Sequence, residues 1–159
     1  MSKSGKWYEP FTDQDGQRPQ PVTPSRVLLA EDDPDMRELL KRTLTADGYT
    51  VTEAVDGMDV MEKLQATLAF PLTLPDVIVL DLVMPRYTGF GVLAALRRAN
   101  WFTPVIVISA IGEESILQKA KELGATAFLQ KPFSVEDFRV AVINASLCNT
   151  RAKNANPST

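Results

Sequence analysis

The run Val77-Ile78-Val79-Leu80-Asp81-Leu82-Val83-Met84-Pro85 constrains the chain more than any other stretch. Its first four residues are apolar, and three of them are β-branched. A continuous apolar run of this length reads as a strand covered on both faces, as in a parallel sheet beneath helices. Pro75 and Asp76 punctuate its start, and Pro85 blocks its simple continuation. Asp81 then sits at the carboxyl end of a central strand, the edge where open α/β sheets bind ligands. A carboxylate placed there needs a cation, a partner or water.

The flanking sequence repeats this plan. Arg26-Val27-Leu28-Leu29-Ala30 is a first buried strand, followed by Glu31, Asp32, Asp33 and Pro34. Asp33-Pro34 reads as the N-cap and first residue of a helix. Met36, Leu39, Leu40, Thr43 and Leu44 form that helix's apolar face, and Gly48 closes it. A second strand spans 49–54, and a second helix follows Gly57. The connection 69–75 is apolar and expected to pack against the domain. A third helix follows Gly89. Val105-Ile106-Val107-Ile108 is a fourth buried strand ending at Ser109, and 113–123 is a helix stopped by Gly124. A short strand at 126–129 leads to Lys131-Pro132. Ser134-Val135-Glu136-Asp137 resembles a capping box for a last helix. Strands alternating with helices predict an α/β fold: a five-stranded parallel sheet, helices on both faces, with right-handed crossovers.

The ends differ in character. Residues 1–25 carry four prolines (Pro10, Pro19, Pro21, Pro24) and no apolar period, and are expected to be a disordered arm. Trp7, Tyr8 and Phe11 within it read as residues resting loosely on the domain. Residues 26–148 form the folded domain, and 149–159 a flexible polar tail. The formal net charge of -3 gives no electrostatic reason to expect nucleic acid or an anionic membrane as partner. No apolar run approaches the roughly 20 residues of a membrane helix. The single cysteine, Cys148, cannot form an internal disulfide, which suits a reducing cytoplasm. The chain has no histidine, so no histidine of its own can act as base, phosphocarrier or metal ligand.

Chemistry must therefore run on carboxylates, lysine, hydroxyls and a hard metal. With strand order 2-1-3-4-5, Asp32 faces Asp81 at the switch point between strands 1 and 3. Clustered carboxylates repel unless a cation joins them. Oxygen ligands without histidine favour Mg²⁺. One carboxylate, one metal, the Lys131 ammonium and the Ser109 hydroxyl suit phosphoryl transfer, with Asp81 as nucleophile.

Four segments now carry a family resemblance. They are Val27-Leu28-Leu29-Ala30-Glu31-Asp32-Asp33, Val79-Leu80-Asp81-Leu82-Val83-Met84-Pro85 with Gly89 downstream, Val107-Ile108-Ser109-Ala110, and Lys131-Pro132-Phe133. Together, in this order, they resemble the receiver domain of two-component response regulators from Arg26 to about Leu147. The resemblance implies the flavodoxin-like fold. It implies Asp81 as phosphoacceptor, Asp32 as direct Mg²⁺ ligand, Glu31 acting through water, and the Val83 carbonyl as a further ligand. It also implies Lys131 as the phosphate-binding lysine, Ser109 as the switch hydroxyl and Phe128 as the switch aromatic. Asp33, beside Pro34, is better read as a cap. The implied function is a stand-alone, cytoplasmic signalling module, not an enzyme. It would take phosphate from a histidine kinase or phosphotransfer protein and act on a downstream protein through its last two helices and the strand between them. Two alternatives stand beside it. One is a degenerate receiver that works as a phosphorylation-independent adaptor. The other is an aspartyl-phosphate hydrolase, which would need a second acid two positions past Asp81, where this chain has Val83.

Overall fold

Every strand of this protein is short, and all five run parallel. The computed structural model describes residues 25–155, with side chains described as far as Asn149. The expectations for the arm before residue 25, and for residues 156–159, lie outside the described residues. In chain order the elements are β1 (Arg26–Ala30), α1 (Pro34–Ala46), β2 (Thr50–Ala54), α2 (Gly57–Thr67), a 3₁₀ turn (Pro71–Thr73), β3 (Val77–Asp81), α3 (Gly89–Arg98), β4 (Val105–Ser109), α4 (Glu114–Glu122), β5 (Ala127–Gln130) and α5 (Val135–Ala155). The sheet order is β2-β1-β3-β4-β5, the doubly wound order expected from sequence. Register runs straight across the centre, with Leu29 beside Val79, Val79 beside Ile106, and Ile106 beside Ala127.

Side chains alternate between two apolar cores, because successive strand residues point to opposite faces. Val27, Leu29, Val77, Val79, Ile106 and Ile108 pack with Leu40 and Leu44 of α1 and with Phe138, Ala141 and Val142 of α5. Leu28, Ile78, Leu80, Val105, Val107 and Phe128 pack with Val60 and Leu64 of α2, Val92, Leu93 and Leu96 of α3, and Ala120 of α4. β3 and β4 are buried at every residue, which explains their unbroken apolar sequences. Both expected caps form. The Asp33 carboxylate accepts the Asp35 N–H at 3.0 Å, and the Ser134 hydroxyl oxygen accepts the Asp137 N–H at 3.0 Å.

Three expectations need correction. The connection 69–75 is packed down only at its end, where Pro75 is buried: Ala69, Phe70 and Leu72 are exposed, Leu72 to 91%. Its turn satisfies itself, with the Thr73 N–H and hydroxyl both donating to the Phe70 carbonyl, so it can stand off the sheet. Leu39, expected on the inner face of α1, is 47% exposed, while Leu40, Thr43 and Leu44 are buried. The expected tail from residue 149 is helical as far as Ala155. Neither glycine nor proline interrupts α5, and polarity alone does not stop a helix. Asn149 also bonds inward, donating from Nδ2 to Asp76 Oδ1 at 3.2 Å.

Candidate functional site

The carboxyl ends of β1, β3 and β5 bring three ionisable side chains together. Glu31 follows Ala30, Asp81 ends β3, and Lys131 follows Gln130. By strand alternation all three lie on the α1/α5 side of the sheet. Main-chain bonds hold their backbones. The Glu31 N–H donates to Ala54 O at 3.2 Å, the Leu82 N–H to Ile108 O at 3.1 Å, and the Lys131 N–H to Ser109 O at 2.8 Å. Lys131 Nζ then bridges Glu31 Oε2 at 2.9 Å and Asp81 Oδ2 at 2.8 Å. The other two oxygens are also used: Glu31 Oε1 accepts the Asp33 N–H at 3.2 Å, and Asp81 Oδ1 accepts the Val83 N–H at 2.9 Å. Gly89 lets the β3–α3 loop close over Asp81, since a Cβ there would lie 2.3 Å from the Asp81 carbonyl oxygen.

The electrostatics are uneven. Glu31 is fully buried and Asp81 nearly so, whereas Asp32 is exposed. Burial pushes the Glu31 carboxyl up to about 7 against the pull of the Lys131 hydrogen bond, and the Asp81 charge adds to the push. Lys131 is partly desolvated, which works to lower its pKa. Its bonds to Asp81 and Glu31 outweigh that and raise it. One ligand oxygen from each of Glu31, Asp32 and Asp81 falls within 4.8 Å of the others. Three carboxylates facing one ammonium leave an excess of negative charge that a small divalent cation offsets. The donors are all oxygen, the set that Mg²⁺ prefers. The residues therefore fit that ion.

The remaining expected residues lie at or near the same sheet edge, on different sides of it. Ser109 is fully buried at the end of β4, and its hydroxyl oxygen accepts the Ile111 N–H at 3.1 Å. Phe128 is fully buried, paired in register with Val107. By the same alternation Ser109 and Phe128 share the α2/α3/α4 side, opposite to Glu31, Asp81 and Lys131. Val83 and Ile111 flank the edge with 57% and 43% exposure. Sequence reasoning missed two neighbours. Arg37 Nη1 donates to the Glu31 carbonyl at 2.9 Å. Arg86 in the β3–α3 loop pairs with Asp56 at the start of α2, with Nε to Oδ2 at 2.7 Å. Neither arginine carries a local signal in sequence, although Asp56-Gly57 has the form of a helix start.

Comparison with known proteins agrees with this fold. The chain is 32% identical over 134 residues to the transcriptional regulatory protein PdtaR of Mycobacterium tuberculosis, covering 84% of this chain and 60% of that protein. It is 35% identical over 126 residues to the response regulator MprA of Mycobacterium ulcerans, covering 79% and 51%. The chain thus spans roughly half to three-fifths of these relatives' length. The Francisella response regulator 1452 receiver domain superposes with a TM-score of 0.65 at 30% identity, covering 81% of this chain and 99% of that one. CheY of Borrelia burgdorferi, solved in a complex with CheX, BeF₃ and Mg²⁺, superposes with a TM-score of 0.69 at 25% identity, covering 76% and 88%. Among the described residues no helix is long and apolar enough to cross a membrane. Residues 27–143, which hold nearly all of both cores and the whole carboxylate–lysine edge, match the response regulator receiver domain, and the chain belongs to that family.

Proposed function

We propose that this receiver takes a phosphoryl group onto Asp81 from a histidine kinase or histidine phosphotransfer protein, in a Mg²⁺-dependent step. The observation that carries the reading is the Lys131 bridge between Glu31 and Asp81, with Asp32 beside it. The CheY relative, solved with BeF₃ and Mg²⁺, supports it.

Asp32 and Asp81 would hold the ion directly and Glu31 through water, with the Val83 carbonyl as a further ligand. Bound Mg²⁺ would neutralise charge on the transferring group. An Asp81 carboxylate oxygen attacks phosphorus. The P–O bond forms as the donor's P–N bond breaks, and the donor imidazole leaves with that electron pair. Lys131 Nζ already sits 2.8 Å from Asp81 Oδ2, so a small movement brings it to the phosphoryl oxygens. Ser109 can turn its hydroxyl proton to the same oxygens once its oxygen releases the Ile111 N–H. Phe128 lies on the same side of the sheet, and its repacking would carry the change to a partner protein at α4, β5 and α5.

Incubation with Mg²⁺ and acetyl phosphate, read by intact-protein mass spectrometry, tests this. A single phosphoryl group should appear on the parent and none on Asp81→Asn. Full labelling of Asp81→Asn would end the assignment. No labelling of the parent would favour the phosphorylation-independent adaptor, and multiple turnover the hydrolase.

A further inference from the structure

The β3–α3 loop, residues 82–88, is held at a backbone cost. Arg86 adopts φ 66°, the left-handed region that an arginine enters with strain. The Tyr87 N–H closes a tight turn on the Pro85 carbonyl at 2.8 Å. Tyr87 and Thr88 make local side-chain bonds to Gly91. Arg86 instead reaches a different element. Its Nε donates to Asp56 Oδ2 at 2.7 Å, and its Nη2 to Asp56 Oδ1 at 3.0 Å, a bidentate pair.

The anchor is itself fixed. Asp56 is buried to 7% exposure and caps α2 by accepting the Asp59 N–H at 2.9 Å. Beside it stands Gly57, where a Cβ would lie 2.0 Å from the Tyr87 carbonyl oxygen. Backbone contact at Gly57 stops the loop from moving toward α2. The ion pair stops it from moving away. The Arg86 side chain is 60% exposed, so the pair adds little to global stability. What it can fix is position. Val83 lies three residues before Arg86 in this loop, and its N–H already bonds Asp81 Oδ1.

We propose that Arg86 and Asp56 are a positioning pair, tying the β3–α3 loop to α2 so that the Val83 main chain is set in place for a divalent cation at Asp81. The inference rests on the metal reading given above. Neither residue touches the ion. Their effect should therefore fall below the roughly 10–100-fold losses seen when partners bonded directly to metal ligands are removed.

Two substitutions isolate the pair. Arg86→Asn removes the guanidinium while tolerating the left-handed backbone. Asp56→Asn removes the charge while remaining a good helix cap. Mg²⁺ is titrated calorimetrically into each variant, the double variant and the parent. Amide hydrogen exchange over residues 82–88 is measured in EDTA. Each single variant should bind Mg²⁺ about threefold to tenfold more weakly and exchange faster over the loop. The melting temperature should stay within a few degrees. The double variant should bind no more weakly than the worse single one, because both remove one interaction. Unchanged affinity in both singles, or losses that add in the double, would overturn the pairing. The Asp32→Ala control separates the two readings. If it binds Mg²⁺ as the parent does, or the parent binds none, the metal site and the positioning pair both fall. If it binds weakly while Arg86→Asn and Asp56→Asn bind normally, only the positioning pair falls.

Discussion

Lys131→Met puts the bridging ammonium to the test. The substitution keeps an unbranched chain of similar reach and removes one charge. Glu31, fully buried, and Asp81, 3% exposed, are then left facing each other. Removing one partner of a buried ion pair costs about 3–5 kcal/mol when the remaining charge cannot escape. Here one carboxylate can escape by taking a proton. Glu31 is the one placed to do so, because burial already raises it to about 7 with the lysine present. Losing the ammonium raises it further. A carboxyl whose folded pKa exceeds its unfolded value of 4.5 binds its proton more tightly in the folded state. That contribution is fully present below 4.5 and is lost as pH rises through the folded value. In EDTA the parent should therefore lose part of its stability between pH 4.5 and about 7, and the variant should go on losing it above 7. The penalty of Lys131→Met, from urea unfolding in EDTA, should be about 1 kcal/mol at a pH near 5.5 and about 3 kcal/mol near 8.5. Taking the difference between parent and variant at each pH cancels groups that titrate alike in both. An equal penalty at both pH values, or a larger one in acid, would refute the argument.

Four further outcomes are expected. Asp32→Ala should weaken Mg²⁺ binding at least about tenfold by calorimetry, through loss of one of few carboxylate ligands. Asp33→Ala should cost about 1 kcal/mol in urea unfolding and keep Mg²⁺ affinity, because its carboxylate caps α1. The double variant Val83→Asn with Ile111→Glu should shorten the lifetime of labelled protein in Mg²⁺ without donor. Both apolar side chains flank the edge, cannot accept a hydrogen bond from an attacking water, and shield the phosphoryl group from it. Deleting Met1 to Pro24 should leave the melting temperature nearly unchanged by differential scanning fluorimetry; a large drop would mean that Trp7, Tyr8 or Phe11 packs on the core.

The legible parts of this fold were those where burial leaves a pattern in the chain. β3 and β4 are enclosed on both faces, so their sequences carry no polar residue before Asp81 and Ser109. Their ends then located the carboxylate edge, and Asp33-Pro34 separated a cap from two candidate ligands. What stayed hidden depends on contacts between distant segments. The Arg86–Asp56 pair spans 30 positions and has no periodic trace. Phe70 and Leu72 look like core in sequence, because hydropathy cannot tell a turn that folds inward from one that closes on its own carbonyls. α5 ran past its expected end because a change from apolar to polar composition was read as a stop. Helices stop at glycine, proline or an unfavourable cap, and α5 meets neither glycine nor proline before Ala155.

The alternation along the strands has a mechanical consequence. Glu31, Asp81 and Lys131 stand on one side of the sheet, while Ser109 and Phe128 stand on the other. On the function proposed above, the sheet is a bulkhead with reagents in one compartment and a reporter in the next. Among the described residues the two sides meet at the open rim of the strand ends, where a phosphoryl group proposed for Asp81 could be reached from both. A side chain changed in α1 could alter how fast the rim is loaded without touching the reporter. One changed in the α2/α3/α4 layer can mute the reporter while loading continues. If Asp81 is charged as proposed, speed of charging and strength of response would be separately adjustable wherever they rest on opposite walls.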